Sequence, residues 1–164
     1  MHGSRQGNAV IARLRTMGIW RSEPTIAEIQ EHARRTLAEH IGIRFTERGA
    51  DFLRATMPVN PTTHQPSGVL HGGASVALAE TVGSVAANLC VDRATHLCLG
   101  QEINANHLRP VAAGLVTATA RPYHIGSRSH VWQIEIRDEQ DKLVCISRLT
   151  MAVLPRKSDA PHPA

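Results

Sequence analysis

The sequence predicts an α+β domain in which a single antiparallel sheet wraps around one long central helix. Three observations carry this expectation. Residues 74–90 read ASVALAETVGSVAANLC, almost wholly small or apolar, a run too long for a buried strand and well suited to a buried helix. Four segments of period-two alternation follow, with no helical stretch between them. Ahead of the run stand only a short amphipathic helix and a hairpin, so one helix is left to cover one face of a sheet.

The elements follow in order. From Thr25 to His40 the apolar positions Ile26, Ile29, Ala33 and Leu37 recur at intervals of three and four, after Pro24 and with Glu28 placed to close a capping box on Thr25. A short amphipathic helix is expected there. Around Gly42, Ile41, Ile43 and Phe45 alternate with other residues up to a turn at Glu47-Arg48-Gly49-Ala50, and residues Phe52 to Val59 return as the second arm of a hairpin. The segment from Asn60 to Gly68, NPTTHQPSG, is dense in turn formers and must be a loop. It leads into the central helix, which begins near His71-Gly72-Gly73; these glycines and Gly83 weaken helix propensity but permit close packing.

Strands are expected at Leu97–Asn106, Gly114–Pro122, Ser129–Arg137 and Lys142–Leu154, joined as a meander of consecutive hairpins. Trp132, Ile134 and Ile136 alternate with Gln133, Glu135 and Arg137, and Asp138-Glu139-Gln140-Asp141 supplies a polar turn. Residues 1–24 read as a partly disordered N-terminal extension, residues 25–154 as one domain, and 155–164 as a disordered tail rich in Pro and charge. Residues 1–22 lack acidic groups and carry Arg5, Arg13, Arg15 and Arg21, so an organelle-targeting peptide stands as the alternative to a simple extension.

Composition narrows the function classes. The three cysteines, Cys90, Cys98 and Cys145, are odd in number, show no CxxC spacing and sit in apolar stretches, which fits a reduced cytoplasmic protein and argues against a metal site. Aromatics are only 3% of residues, so the core must rest on Ala, Val, Leu and Ile. The net charge of +4 comes from scattered arginines with no basic run, which excludes a nucleic-acid footprint and leaves a phosphorylated small molecule or plain solubility as its meaning. No window is long and apolar enough to span a membrane.

The chemistry gathers around the central helix. At His71-Gly72-Gly73 the helix start presents backbone N–H groups without intrahelical partners, backed by the positive end of the helix dipole, and glycine lets a carbonyl approach closely. Glu80 is the sole charged side chain between His71 and Asp92, and Ser84 lies four residues on, on the same face. A carboxylate in such surroundings must find partners or shift its pKa, although one wet helix face would also accommodate it. Eight residues separate Glu80 from Gly72, about 12 Å along a helix axis, too far for both to reach one scissile carbon. Two copies paired antiparallel across a two-fold axis would bring the Gly72 end of one to Glu80 of the other. The remaining histidines show no ligand cluster, and Ser75 lacks the GxSxG surroundings of a serine hydrolase.

The stretch from His64 to Cys90, the run from Glu102 to Arg109 and the run from Gly126 to Glu135 resemble hotdog-fold thioesterases of the PaaI-like group. Gln-Pro-x-Gly-x-x-His-Gly-Gly with a Glu nine residues after the His carries the resemblance, which extends over residues 38–154. Within the group the likeness is greatest to enzymes hydrolysing aroyl-CoA, aryl-carrier-protein thioesters and dihydroxynaphthoyl-CoA. It implies a hotdog fold and hydrolysis of an acyl-CoA or acyl-carrier-protein thioester, aroyl or medium-chain, with coenzyme A entering as part of the substrate and no cofactor or metal. Glu80 would act as general base on water or as nucleophile, Gly72 would supply the oxyanion N–H, Gln65 and His71 would orient and polarise the carbonyl, and Ser84 would assist the carboxylate. His107, Arg109, Ser127 and Arg128 would contact the coenzyme, arginine being suited to phosphate by its forked donors. A homodimer, or a tetramer as a dimer of dimers, follows from sites shared between subunits. Two other readings stay open: a hotdog dehydratase or hydratase on 3-hydroxyacyl or enoyl thioesters, and a non-catalytic acyl-CoA-binding protein.

Overall fold

The computed structural model describes residues 18–156. Residues 1–17 and 157–164, which hold most of the expected N-terminal extension with its targeting alternative and most of the expected tail, lie outside the described residues.

Helix α1 spans Ile26–His32 and opens on the predicted capping box: the Glu28 N–H donates to Thr25 Oγ1 at 3.2 Å, and the Thr25 N–H donates to the Glu28 carboxylate at 2.7 Å. Those Thr25 bonds hold the Glu28 carboxyl below its ordinary range. The helix does not run on to His40 as the periodicity suggests. Arg35 adopts a left-handed φ of 58° and a separate short helix, α2, covers Leu37–His40. A residue in that conformation breaks the α-helical bond ladder, so the apolar stripe is interrupted: Ala38 is buried, whereas Leu37 is 62% exposed.

The remaining order is β1 (Arg44–Arg48), β2 (Leu53–Val59), α3 (Gly72–Leu89), β3 (His96–His107), β4 (Gly114–Ile125), β5 (Ser129–Asp138) and β6 (Leu143–Pro155). Glu47 and Arg48 belong to β1, and the hairpin turn tightens one step later, where the Gly49 N–H donates to Phe52 O at 2.9 Å. Six strands make one antiparallel sheet in the order β1-β2-β4-β5-β6-β3. The hairpins β4-β5 and β5-β6 match expectation. Strand β3 does not: it pairs with β6 at the far edge, and residues 108–113 carry the chain back across the sheet to β4. Alternation reports which face a side chain takes and is silent on which strand lies next door, so four successive strands could not be told from a meander.

Helix α3 lies on the inner face. Leu78, Ala79, Val82, Ala86 and Ala87 are fully enclosed by Leu53, Met57, Trp132, Ile134, Ile136, Leu149 and Met151. Each large aliphatic side chain so buried stabilises the fold by about 1.5–3 kcal/mol relative to exposure. The helix runs antiparallel to β3. Near its end the Asn88 side-chain amide exchanges two bonds with the Cys98 backbone, at 2.9 and 3.0 Å. Residues 18–24 also pack onto the domain: Trp20 is buried with its Nε1 donating to Gly49 O at 2.7 Å, and the Arg21 and Ser22 N–H groups donate to the Leu89 carbonyl that α3 leaves free. All three cysteines are free and buried, and burial pushes the Cys90 thiol up to about 12 and that of Cys98 up to about 11.

Candidate functional site

The loop before α3 is held from several sides. Thr63 Oγ1 donates to Pro58 O at 2.8 Å, the Leu70 N–H donates to Val111 O at 2.8 Å, and the His71 N–H donates to Thr63 O at 2.8 Å. Gln65 sits in a closed turn: its N–H donates to Val69 O, and its carbonyl accepts from the Gly68 N–H. Gly68 has φ +78°, a conformation other residues rarely adopt, which explains the glycine of the Gln-Pro-x-Gly run. With its backbone pinned, Gln65 leaves an exposed side-chain amide without a partner among the described residues.

His71 is the N-cap of α3, and its Nδ1 accepts from the Gly73 N–H at 2.8 Å. For Nδ1 to accept, the neutral ring carries its proton on Nε2, which leaves one donor free. The Gly72 N–H makes no hydrogen bond to a described residue. Against Gly72 lies the His107 ring, which a Cβ there would meet at 2.8 Å. Gln65, Gly72, Ser75, His107 and Arg109 line one open cleft of about 370 Å³, with Val69, Leu70 and Val144 as its apolar wall.

Glu80 stands elsewhere. It is half-buried on α3 over Gly100 of β3, where a Cβ would collide with its Oε1, and it makes no hydrogen bond or ion pair with any described residue. Ser84 is one turn further on, but its Oγ reaches Met151 Sδ at 3.7 Å and has no bond to Glu80. Beside Ser84, Pro24, Ile29, His32, Val85, Leu89 and Arg93 line a second cleft, of about 210 Å³ and mainly apolar.

The candidate residues therefore fall into two groups within one chain. Gln65, His71, Gly72, His107 and Arg109 gather at the start of α3. Glu80 and Ser84 lie along its middle, about 12 Å from Gly72 by helix rise. Ser127 and Arg128 are exposed in the turn between β4 and β5, where Arg128 O accepts from the Val153 N–H. That turn lies toward the Cys98 end of β3, whereas His107 and Arg109 lie at and beyond its other end, so the four residues expected to contact coenzyme do not converge in one subunit. Sequence reasoning missed the placement of Gly100 under Glu80, and it missed Ser75 as a cleft residue, since no motif surrounds either. Among the described residues no group of three His, Cys, Asp or Glu stands close enough to hold a metal ion, and no helix is long and apolar enough to cross a membrane.

A single helix cradled by an antiparallel sheet is the hotdog architecture, and unpartnered donors at the helix start suit a carbonyl oxygen gaining charge. Comparison with known proteins carries this further. A family model described as Thioesterase superfamily matches residues 67–145. Over 136 residues the chain is 48% identical to the 1,4-dihydroxy-2-naphthoyl-CoA hydrolase of Escherichia coli, covering 83% of this chain and 99% of that protein. It is 47% identical over 136 residues to the proofreading thioesterase EntH of Cronobacter turicensis, covering 83% and 98%. The crystal structure of a mutant thioesterase from Pseudomonas aeruginosa matches with a TM-score of 0.84 at 46% identity, covering 85% of this chain and 100% of that one. The chain belongs to the thioesterase superfamily, and is by that membership a thioester hydrolase.

Proposed function

We propose that this chain hydrolyses acyl-CoA thioesters, aroyl or medium-chain, at two composite sites of a homodimer. The reading rests on one observation: the unpartnered Glu80 carboxylate and the unpartnered Gly72 N–H lie on one rigid helix, too far apart to act on one carbon. A second copy related by a two-fold axis resolves this, and the outer edge of β3, beneath Glu80, has no neighbouring strand among the described residues and can receive it. The further pairing of dimers into a tetramer rests on the family resemblance, and the cytoplasmic setting on the buried reduced cysteines.

In this scheme the thioester carbonyl sits at the helix start of one subunit, with its oxygen toward the Gly72 N–H and with Gln65 and the His71 Nε2–H alongside. The partner subunit's Glu80 delivers the attacking oxygen, either by taking a proton from water or by bonding to the carbonyl carbon itself. The carbonyl electron pair moves onto oxygen, then returns as the carbon–sulfur bond breaks and the thiolate leaves. With water as nucleophile, the thiolate takes the proton that Glu80 removed from that water. With Glu80 as nucleophile, a mixed anhydride forms, water hydrolyses it at the Glu80 carboxyl carbon, and the proton that water releases goes to the thiolate. The mainly apolar cleft beside Ser84 suits the acyl group, while Arg109 and the Gly126–Arg128 turn suit phosphates. The hydrolases of Escherichia coli and Cronobacter named above support a thioester substrate, and the first of them coenzyme A as its thiol.

Complementation tests the shared site. Glu80→Ala and Gln65→Ala each remove half of every site, so both purified variants should be inactive on benzoyl-CoA. Refolded together at equal concentrations, they should regain about a quarter of wild-type activity, because half the dimers then hold one intact site. Recovery of none, with dimers confirmed by light scattering, would place both groups on one subunit and end the proposal. Single turnover in heavy-oxygen water distinguishes the two roles of Glu80, since only direct attack leaves label in the carboxylate.

A further inference from the structure

We infer that Ser75 is a catalytic residue whose hydroxyl donates to the thioester oxygen together with the Gly72 N–H. The inference rests on the thioesterase reading of the cleft and adds a group to it. Ser75 occupies the fourth position of α3, three residues from Gly72 and so on the same side of the helix. It is 2% exposed, yet it lines the cleft that Gln65, Gly72, His107 and Arg109 share.

Its hydroxyl is unusual in being unused. A serine inside a helix ordinarily donates to the carbonyl four residues back. Here the His71 carbonyl accepts from the Ser75 N–H at 3.1 Å, and the Ser75 hydroxyl makes no hydrogen bond to any described residue. Nor is the atom sealed in the core as Trp132 Nε1 is: it borders the cleft. A hydroxyl that is nearly enclosed, unpartnered and opens on two free donors is satisfied when an acceptor arrives.

The thioester carbonyl oxygen is such an acceptor, and the cleft that Gly72 and Ser75 both line can bring it to the hydroxyl and the N–H together. As the attacking oxygen bonds to the thioester carbon, the carbonyl electron pair moves onto this oxygen, and both donors tighten on it. Collapse returns the pair and breaks the carbon–sulfur bond, and the departing thiolate takes the proton that the reacting water gives up. Ser75 forms no covalent bond, which agrees with the absence of serine-hydrolase surroundings in the sequence.

The test compares Ser75→Ala and the near-isosteric Ser75→Cys with wild type on benzoyl-CoA. Each should lower kcat by about ten- to a hundredfold while KM changes less than about threefold, since the lost bond strengthens only as charge develops. The thioether S-benzyl-CoA, which lacks the thioester carbonyl, should bind wild type and both variants with the same Kd. A kcat within about twofold of wild type in either folded variant overturns the inference. So does a matching loss of thioether affinity, or loss of the folded dimer in both variants, each of which marks a packing role. Glu80→Gln is measured alongside: if it retains wild-type turnover, the thioesterase reading of the site fails, whereas a dead Glu80→Gln beside a fully active Ser75→Ala sinks this inference alone.

Discussion

The first turn of α3 and its last two turns are built in opposite ways. At the start the backbone is held by loop contacts from Thr63, Val111 and the His71 ring, while the groups facing the cleft are left without partners. Toward the end nearly everything is satisfied: Leu89 O takes two N–H donors, Asn88 trades two bonds with Cys98, and Ala86 and Ala87 are fully enclosed. Glu80 sits at the junction, the one charged residue of α3. The contrast teaches that rigidity and reactivity are separated along one element. Packing of the far half fixes the helix, and the fixed helix aims donors that have nothing else to bond.

Replacing Glu80 by Gln tests the reactive half most severely. The amide keeps the shape and loses the charge, so kcat on benzoyl-CoA should fall by about 10²–10⁴-fold with the thermal midpoint unchanged. Equal losses of stability and activity would mean that Glu80 belongs with the packed half.

Asn88→Ala probes the opposite end. Losing both bonds to Cys98 should cost about 1–3 kcal/mol of stability, read by chemical denaturation, while kcat/KM on the folded enzyme stays within a few fold. A collapse of activity with stability intact would erase the division between the two halves.

His71 separates the two roles within the first turn itself. Ala removes the cap and should cost about 0.5–2 kcal/mol together with activity. Asn can still accept from the Gly73 N–H, so His71→Asn should recover most of the stability yet leave turnover low, because the Nε2–H is gone. If His71→Asn also recovers turnover, capping is the whole of its function.

The smallest expected effect is on pH. His130 is buried beside Cys98 Sγ at 4.0 Å, and burial, then His124, lowers its pKa. The folded chain therefore holds the ring neutral where the unfolded chain would protonate it. Stability should be complete above the unfolded value of about 6.5 and decline as pH falls from there through the folded value. His130→Asn should flatten that decline in thermal melts between pH 8 and pH 5, at the level of about 1 kcal/mol or less.

Local chemistry made much of this legible. The length and apolarity of residues 74–90 define α3, Thr25 and Glu28 announce their own cap, and the alternation of Trp132, Ile134 and Ile136 assigns the inner face of β5. Spacing along a helix was enough to separate Glu80 from Gly72. The rest was hidden because it depends on tertiary partners. Arg35 breaks a helix whose periodicity continues through it, and β3 reaches the far edge of the sheet although nothing in its alternation names a neighbour. Ser75 and Gly100 acquire meaning only through what folds against them, the cleft in one case and a carboxylate in the other.

The pair of bonds between Asn88 and Cys98 has a consequence for solubility. An edge strand is a template on which other chains can polymerise, since its outward N–H and C=O groups await a neighbour. At Cys98 both groups are already occupied by a side-chain amide that mimics one residue of an added strand. Any chain laid along β3 loses its foothold there, so the length available for docking is bounded at one end. A single asparagine thus shortens the stretch of β3 that is open to edge-to-edge pairing.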